Sequence, residues 1–150
     1  MLRPPSYRQW VFLSSGLGMT YGALASPNPR FDNVFVSPAA YQAFLQTGRW
    51  PEKTVLILEV RNAESKGSIN TAGHFQTEVA GVEAHVKDSS RFPGGGWAFF
   101  QFGRDKAAAD PVAKTANCFT CHEGQGAVDS TFVQFYPTLI QLAKEKGTYR

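Results

Sequence analysis

The sequence predicts an α+β fold, a mainly antiparallel β-sheet with flanking helices, on three observations. The run Thr54–Val60 is apolar on both faces apart from Glu59, which makes it a central strand. Phe75–Val86 and Trp97–Phe102 follow as further strands, joined by a loop over Lys87–Gly96 that ends in Pro93-Gly94-Gly95-Gly96. Between strands, Ser37-Pro38 starts a helix whose apolar stripe is Tyr41, Phe44 and Leu45 and which stops at Gly48.

The other elements read in order. Leu2–Ser6 carries two prolines and is extended. Tyr7–Leu13 places apolar groups at 7, 10, 11 and 13, a weak helical period. Gly16–Pro29 is rich in Gly, Ser and Pro and reads as a loop. Asn33–Ser37 is a short strand, and Ser37 is placed to cap the helix after it. Glu64–Gly73 is a polar turn between strands. Ala107–Ala116 and Phe132–Lys146 read as helices, with Cys118-Phe119-Thr120-Cys121-His122 between them.

A chain of 150 residues suits one domain, 1–150, and 43% apolar content including 12 Phe is enough for a packed core. The net charge of +3, without any basic run, gives no footprint for nucleic acid or a membrane surface. No stretch reaches the roughly 20 apolar residues of a membrane span. Val11–Ala25 is broken by Ser14, Ser15, Gly16, Gly18 and Thr20, and lacks the basic start and cleavage site of a signal peptide. It is expected to be the first part of the fold.

The Cys-x-x-Cys-His motif carries the chemistry. Two thiols at this spacing can add to the two vinyl groups of a haem, and the histidine directly after the second reaches the iron. Cys118 and Cys121 are the sole cysteines. The expectation is one covalent haem c per chain, with His122 as its iron ligand. Three other readings stay beside it: a small disulfide loop, a thioredoxin-like redox pair, and a zinc site completed by His74, His85 or a carboxylate. The motif's place late in the chain, after a helix, is wrong for thioredoxin. Haem attachment to such a motif happens outside the bacterial cytoplasm, so a periplasmic protein is expected, in a form from which the export signal is already missing.

The sixth ligand decides what such a haem does. Electron-transfer cytochromes place a Met opposite the His, whereas the methionines here are Met1 and Met19, both far upstream of the motif. His74 and His85 are the other candidates. The expectation is five-coordinate iron with one open face, suited to a small molecule.

Several blocks resemble the cytochrome P-460 family, which includes the cytochromes c′-β. They are Tyr7-Arg8-Gln9-Trp10-Val11, Val36-Ser37-Pro38 with Tyr41, Gly81–Ser89, Arg91-Phe92, Gly96–Phe100 and Phe132–Pro137. The resemblance implies a mainly antiparallel β fold, a homodimer and a high-spin haem held by the His of the motif. The family's P-460 enzymes oxidise hydroxylamine and link a strand lysine to the porphyrin. The c′-β members lack that link, have an apolar distal pocket, and bind nitric oxide and carbon monoxide. Leu58 stands where the linking lysine would be, and Lys53 and Lys66 lie outside the strand core. That departure implies the c′-β type.

Strand alternation places Leu56, Leu58 and Val60 on one face, so Leu58 and Leu56 are candidate pocket residues. Phe31 matches a position that supplies a distal aromatic in the c′-β pattern. Glu83 falls where the P-460 enzymes carry a proton-handling carboxylate; a strand-surface residue paired with Lys87 or Arg91 is its plainer reading. Arg91 is a candidate partner for the propionates. The leading expectation is therefore a protein binding nitric oxide and carbon monoxide. A hydroxylamine oxidase or haem peroxidase using Glu83 is the second expectation. A low-spin electron-transfer cytochrome ligated by His74, His85 or Met19 is the third. Each implies an electron donor whose identity the sequence does not carry.

Overall fold

The computed structural model describes residues 1–21 and 28–150. Five strands form one sheet in the order β1-β2-β3-β4-β5, with every neighbour antiparallel: β1 (Val11–Leu17), β2 (Arg30–Val36), β3 (Val55–Glu64), β4 (Phe75–Lys87) and β5 (Trp97–Gly103). Three helices flank it: α1 (Pro38–Thr47), α2 (Asn117–Gln125) and α3 (Pro137–Glu145). The fold is α+β, as expected, and β3 is the central strand that its two-sided apolar pattern demands. No helix among the described residues is long and apolar enough to cross a membrane.

Where the chain departs from the sequence expectation, tertiary pairing overrides a weak local period. Tyr7–Gln9 makes a single 3-10 turn, after which Val11 and Phe12 pair with Val36 and Phe35 as strand β1. β-Branched and aromatic residues gain more on a sheet than in a helix too short to nucleate. β1 also takes in Gly16 and Leu17, the start of the expected loop; residues 22–27 of that loop lie outside the described residues. Ala107–Ala116 is not helical. Asp110 precedes Pro111, which disfavours helix at 110, and the segment bonds elsewhere: Arg3 N donates to Ala107 O, Ala109 N to Met1 O, and Val112 N to Phe99 O. The helix begins instead at Asn117 and contains the Cys-x-x-Cys-His motif. Phe132–Lys146 divides into a 3-10 turn at Val133–Phe135 and α3, with Pro137 at the first helical position. At α1, Gly48 closes the helix with φ of 71°, but Ser37 makes no side-chain cap bond.

The two faces of the sheet have different fates. On one, Ile57, Val82, Ala84, Phe100 and Phe102 pack beneath Tyr7 and the N-terminal segment. On the other, Val36 and Leu56 pack with Phe44 of α1, Leu139 of α3 and Trp50. Phe44 is fully buried, with its ring centroid 4.3 Å from that of Trp50; burial of such a side chain contributes about 2–3 kcal/mol. Trp50 Nε1 then donates to Thr131 Oγ1 at 2.8 Å. This tie joins the core to the loop after α2 and so fixes the position of that helix over the sheet.

Candidate functional site

The face of the sheet below α2 is set by register. Val34 pairs with Leu58, Leu58 with Glu83, and Glu83 with Gln101, so these four form one row across the strands. The neighbouring row runs Leu56–His85–Phe99, about 7 Å away along the strands. On the other side lies Asp32–Val60–Gly81. Together with α2 the first two rows and Asp32 of the third enclose a cavity of about 310 Å³, a size used for small-molecule and cofactor sites.

Helix α2 presents Cys118, Cys121 and His122 to that cavity. Spacings of i, i+3 and i+4 put all three on one helical face. Both cysteines are free thiols. His122 is buried, and its Nδ1 lies 2.9 Å from the carbonyl oxygen of Ser130. A carbonyl can only accept, so Nδ1 carries the proton and Nε2 is the nitrogen with a lone pair. Burial lowers the His122 pKa, while the Ser130 carbonyl acts in the opposite direction. The neutral ring that results is the form able to bind a metal.

The Ser130 carbonyl is presented by a tight turn. Val128 and Thr131 form a bridge, and the two residues between them, Asp129 and Ser130, have φ of 46° and 57°. Two left-handed central residues are the mark of a type I′ turn. Asp129 anchors it, accepting from Arg49 Nη1 (3.1 Å), the Trp50 amide (3.0 Å) and Lys87 Nζ (3.3 Å). Rings then surround His122: His85, Phe99 and Phe132 have centroids 4.6, 4.7 and 4.3 Å away.

Of the expected pocket residues, Leu56, Leu58 and Glu83 all line the cavity. Phe31 does not. Asp32 and Val34 face the cavity, so alternation turns Phe31 to the opposite side, in register with Leu17 and Arg61; an aromatic role there is corrected by one residue of strand parity. Among the possible sixth ligands, His74 is exposed, while Met19 and His85 reach the cavity. His85 packs against His122 itself. An iron shared by two imidazoles holds their centroids about 6 Å apart, farther than the 4.6 Å between these rings. Burial depresses the His85 pKa well below the usual imidazole value, with His122 adding to the effect.

Among the described residues, no lysine lines the cavity. Lys53 is held by Asp88, at 2.5 Å, and Arg91 lies over the Phe92 ring, both away from it. The cavity wall is not uniformly apolar. Glu83 has its carboxyl raised by burial, with a hydrogen bond from Gln101 opposing and the charge of Asp32 adding. Asp32, Gln101, Phe99, Phe132 and the Ser130 carbonyl were not singled out by the sequence. Alternation extended one strand further would have found Gln101 and Phe99; a main-chain carbonyl leaves no side-chain signal.

These residues fit a c-type haem: two free thiols on one helical face, an imidazole with Nε2 available, and a cavity walled largely by aliphatic and aromatic groups. They form neither a closed disulfide loop nor a zinc site. The thiols are unpaired, and no cluster of three metal-ligating residues occurs among the described residues. No curated protein matches the chain. The family model described as Cytochrome P460 matches residues 4–133, and the chain belongs to the cytochrome P460 family, membership that implies a haem protein.

Proposed function

We propose that the chain is a haem protein of the cytochrome c′-β type. One haem is joined covalently through Cys118 and Cys121, its iron is held on one side by His122 and open on the other, and nitric oxide and carbon monoxide are the ligands. The observation that carries this reading is the convergence of both thiols and a Ser130-oriented imidazole on one cavity. The haem, when bound, supplies an iron with a free coordination position.

The chain's own residues do the rest. Ser130 holds the His122 tautomer and ring plane. Val34, Leu56 and Leu58 exclude water from the sheet side, where neutral diatomic ligands need few polar contacts. Leu58 occupies the wall where the P-460 enzymes carry their linking lysine, and it has no amine to link. The whole chain, 1–150, acts as one periplasmic domain, reduced by an electron donor. A second copy is proposed to cover edge strand β1, which leaves Phe12 and Leu17 about half exposed at 52% and 44%.

One observation favours a second reading. Glu83 faces the cavity with a raised pKa, suited to proton transfer during hydroxylamine or peroxide turnover. The low-spin electron-transfer alternative requires His85 or Met19 on the iron, and the contact between the two imidazoles disfavours His85 in that role.

The test is the absorption spectrum of the purified protein, ferric and ferrous, with and without nitric oxide. A high-spin spectrum, no strongly red-shifted ferrous Soret band and ready nitrosyl formation are expected. A red-shifted band, or steady turnover of hydroxylamine or peroxide, would transfer the assignment to the enzyme. A low-spin spectrum in both oxidation states would overturn both.

A further inference from the structure

We infer that Asp32 is the outer member of a carboxylate pair with Glu83, and that the pair exchanges protons between the cavity and solvent at the β1–β2 end of the sheet. The inference rests on the haem reading above and adds a route that this reading leaves out.

Three features place the pair. First, Asp32 and Glu83 line the same cavity, on strands that flank β3 from either side. Second, Asp32 also borders an open surface pocket of about 410 Å³, shared with Gly18, Pro29, Arg30 and Val60. It therefore stands in the wall between interior and solvent. Third, its cross-strand row continues through Val60 to Gly81, and a Cβ built on Gly81 meets nothing within 4 Å. Gly81 shares its strand face with Glu83 two residues on, so the face beside Glu83 is unfilled at Gly81, and Val60 of β3 stands between that gap and Asp32.

The groups facing the pair act in a consistent sense. Burial raises the Asp32 carboxyl, with Arg30 opposing. Burial raises both Glu83 and the Tyr21 hydroxyl, and the charge of Asp32 adds to each. Gln101 of β5 donates to Glu83 at 3.3 Å. From β4 and α2, His85 and His122 are both held toward their neutral forms, so no imidazolium faces the pair. Two carboxyls with raised affinity for protons, one at the cavity and one at its outer wall, can pass a proton inward and back without either being trapped as a charge.

The experiment uses the haem-loaded protein and reads the ferric absorption spectrum from about pH 4 to pH 10, together with the rate of spectral change after a pH jump. Asp32→Asn is expected to move the Glu83-controlled transition to lower pH, because a negative charge is removed. It should also slow the pH-jump response by about a hundredfold. Gly81→Val, which fills the gap beside Glu83 with a good strand residue, should slow the response while leaving the unfolding midpoint intact. Glu83→Gln abolishes the transition. Asp105→Asn, on the other face of the sheet, changes nothing. Asp32→Asn tracking the wild type in both position and rate overturns the inference, as does a haem-bearing protein whose spectrum is flat over the range. A protein without haem sinks this inference and the haem reading together.

Discussion

The carbonyl oxygen of Ser130 accepts a hydrogen bond from Nδ1 of His122 at 2.9 Å, and the residue supplying it sits at φ of 57°. A non-glycine residue in the left-handed region costs on the order of 1 kcal/mol, and Asp129 beside it carries the same cost at φ of 46°. Strain is thus concentrated in the turn that orients the proposed iron ligand.

That arrangement separates the two turn residues by experiment. Ser130→Gly keeps the carbonyl and relieves the strain, so it should raise stability by about 1 kcal/mol and leave His122 as it is. Asp129→Ala keeps the backbone but removes the acceptor for Arg49, Trp50 and Lys87. It should cost about 2 kcal/mol and loosen the carbonyl. Chemical unfolding gives the stabilities, and the iron–histidine vibration of the ferrous protein reports on His122. A destabilised Ser130→Gly would show that the side chain, not the backbone, matters here.

Two glycines flanking the end of α2 predict opposite outcomes. A Cβ on Gly126 would lie 2.6 Å from the His122 carbonyl oxygen, 2.6 Å from Ser130 C and 2.7 Å from Thr131 N. All three are backbone atoms of the turn and helix that must stay close, so Gly126→Ala should cost about 2–3 kcal/mol and disturb His122. Gly124 lies inside α2, and a Cβ there meets nothing within 4 Å. Gly124→Ala should therefore stabilise by about 0.5–1 kcal/mol through helix propensity. Equal effects of the two substitutions in thermal unfolding would refute the close-approach argument.

How much of this was legible in the sequence depends on how local each determinant is. β3, β4, β5 and α1 were readable because period, turn residues and terminators agree within a few residues. Cys118, Cys121 and His122 stood out because the Cys-x-x-Cys-His pattern is local, and the structure brings all three to one cavity. Phe31 was misplaced because face assignment inverts with a single residue of parity, and the loop before β2 gives nothing to count from. The helix expected at 107–116 failed because Pro111 and pairing to residues 1–3 and Phe99 outweigh alanine content. The Ser130 carbonyl was not readable at all: what matters there is main-chain direction, set by contacts from Arg49, Trp50 and Lys87 far away in the chain.

The buried cluster on the opposite face predicts a pH profile. Glu59 is 2% exposed and accepts from the Tyr7 hydroxyl, from Arg8 Nε at 2.8 Å and from Arg61 Nε at 2.5 Å. Burial raises the Tyr7 pKa to about 12, helped by the Glu59 hydrogen bond and charge. A raised folded-state pKa means the contribution is complete below the unfolded value, near pH 10, and is lost as pH climbs toward 12. For Glu59 burial pushes upward, but bonds from Tyr7, Arg61 and Arg8 outweigh it and hold the carboxyl below its ordinary value. Its contribution is present above the unfolded pKa and fades as pH falls through the folded one. Tyr7→Phe should cost about 2 kcal/mol at neutral pH and erase the alkaline loss. Urea midpoints measured across pH decide it: an alkaline loss unchanged in Tyr7→Phe would assign that loss to other groups.

His85 offers the sharpest separation between a gas-binding and an electron-transfer haem. Its ring meets Phe99 edge-on with centroids 4.5 Å apart, and meets His122 in the same way at 4.6 Å. In the proposed five-coordinate haem, an imidazole packed against the ligand's own ring is a neighbour of that ligand, not a partner across the iron. His85→Phe keeps an aromatic edge in the same place, so the spin state of the ferric and ferrous protein should not change. Met19→Leu should likewise leave it unchanged, since Met19 stands against Gly16 on β1 while His122 packs over β4 and β5, strands that lie about 14 and about 19 Å from β1 across the sheet. Conversion of a low-spin wild type to high spin by either substitution would identify that side chain as a sixth ligand and remove the open coordination position that the proposed nitric oxide binding requires.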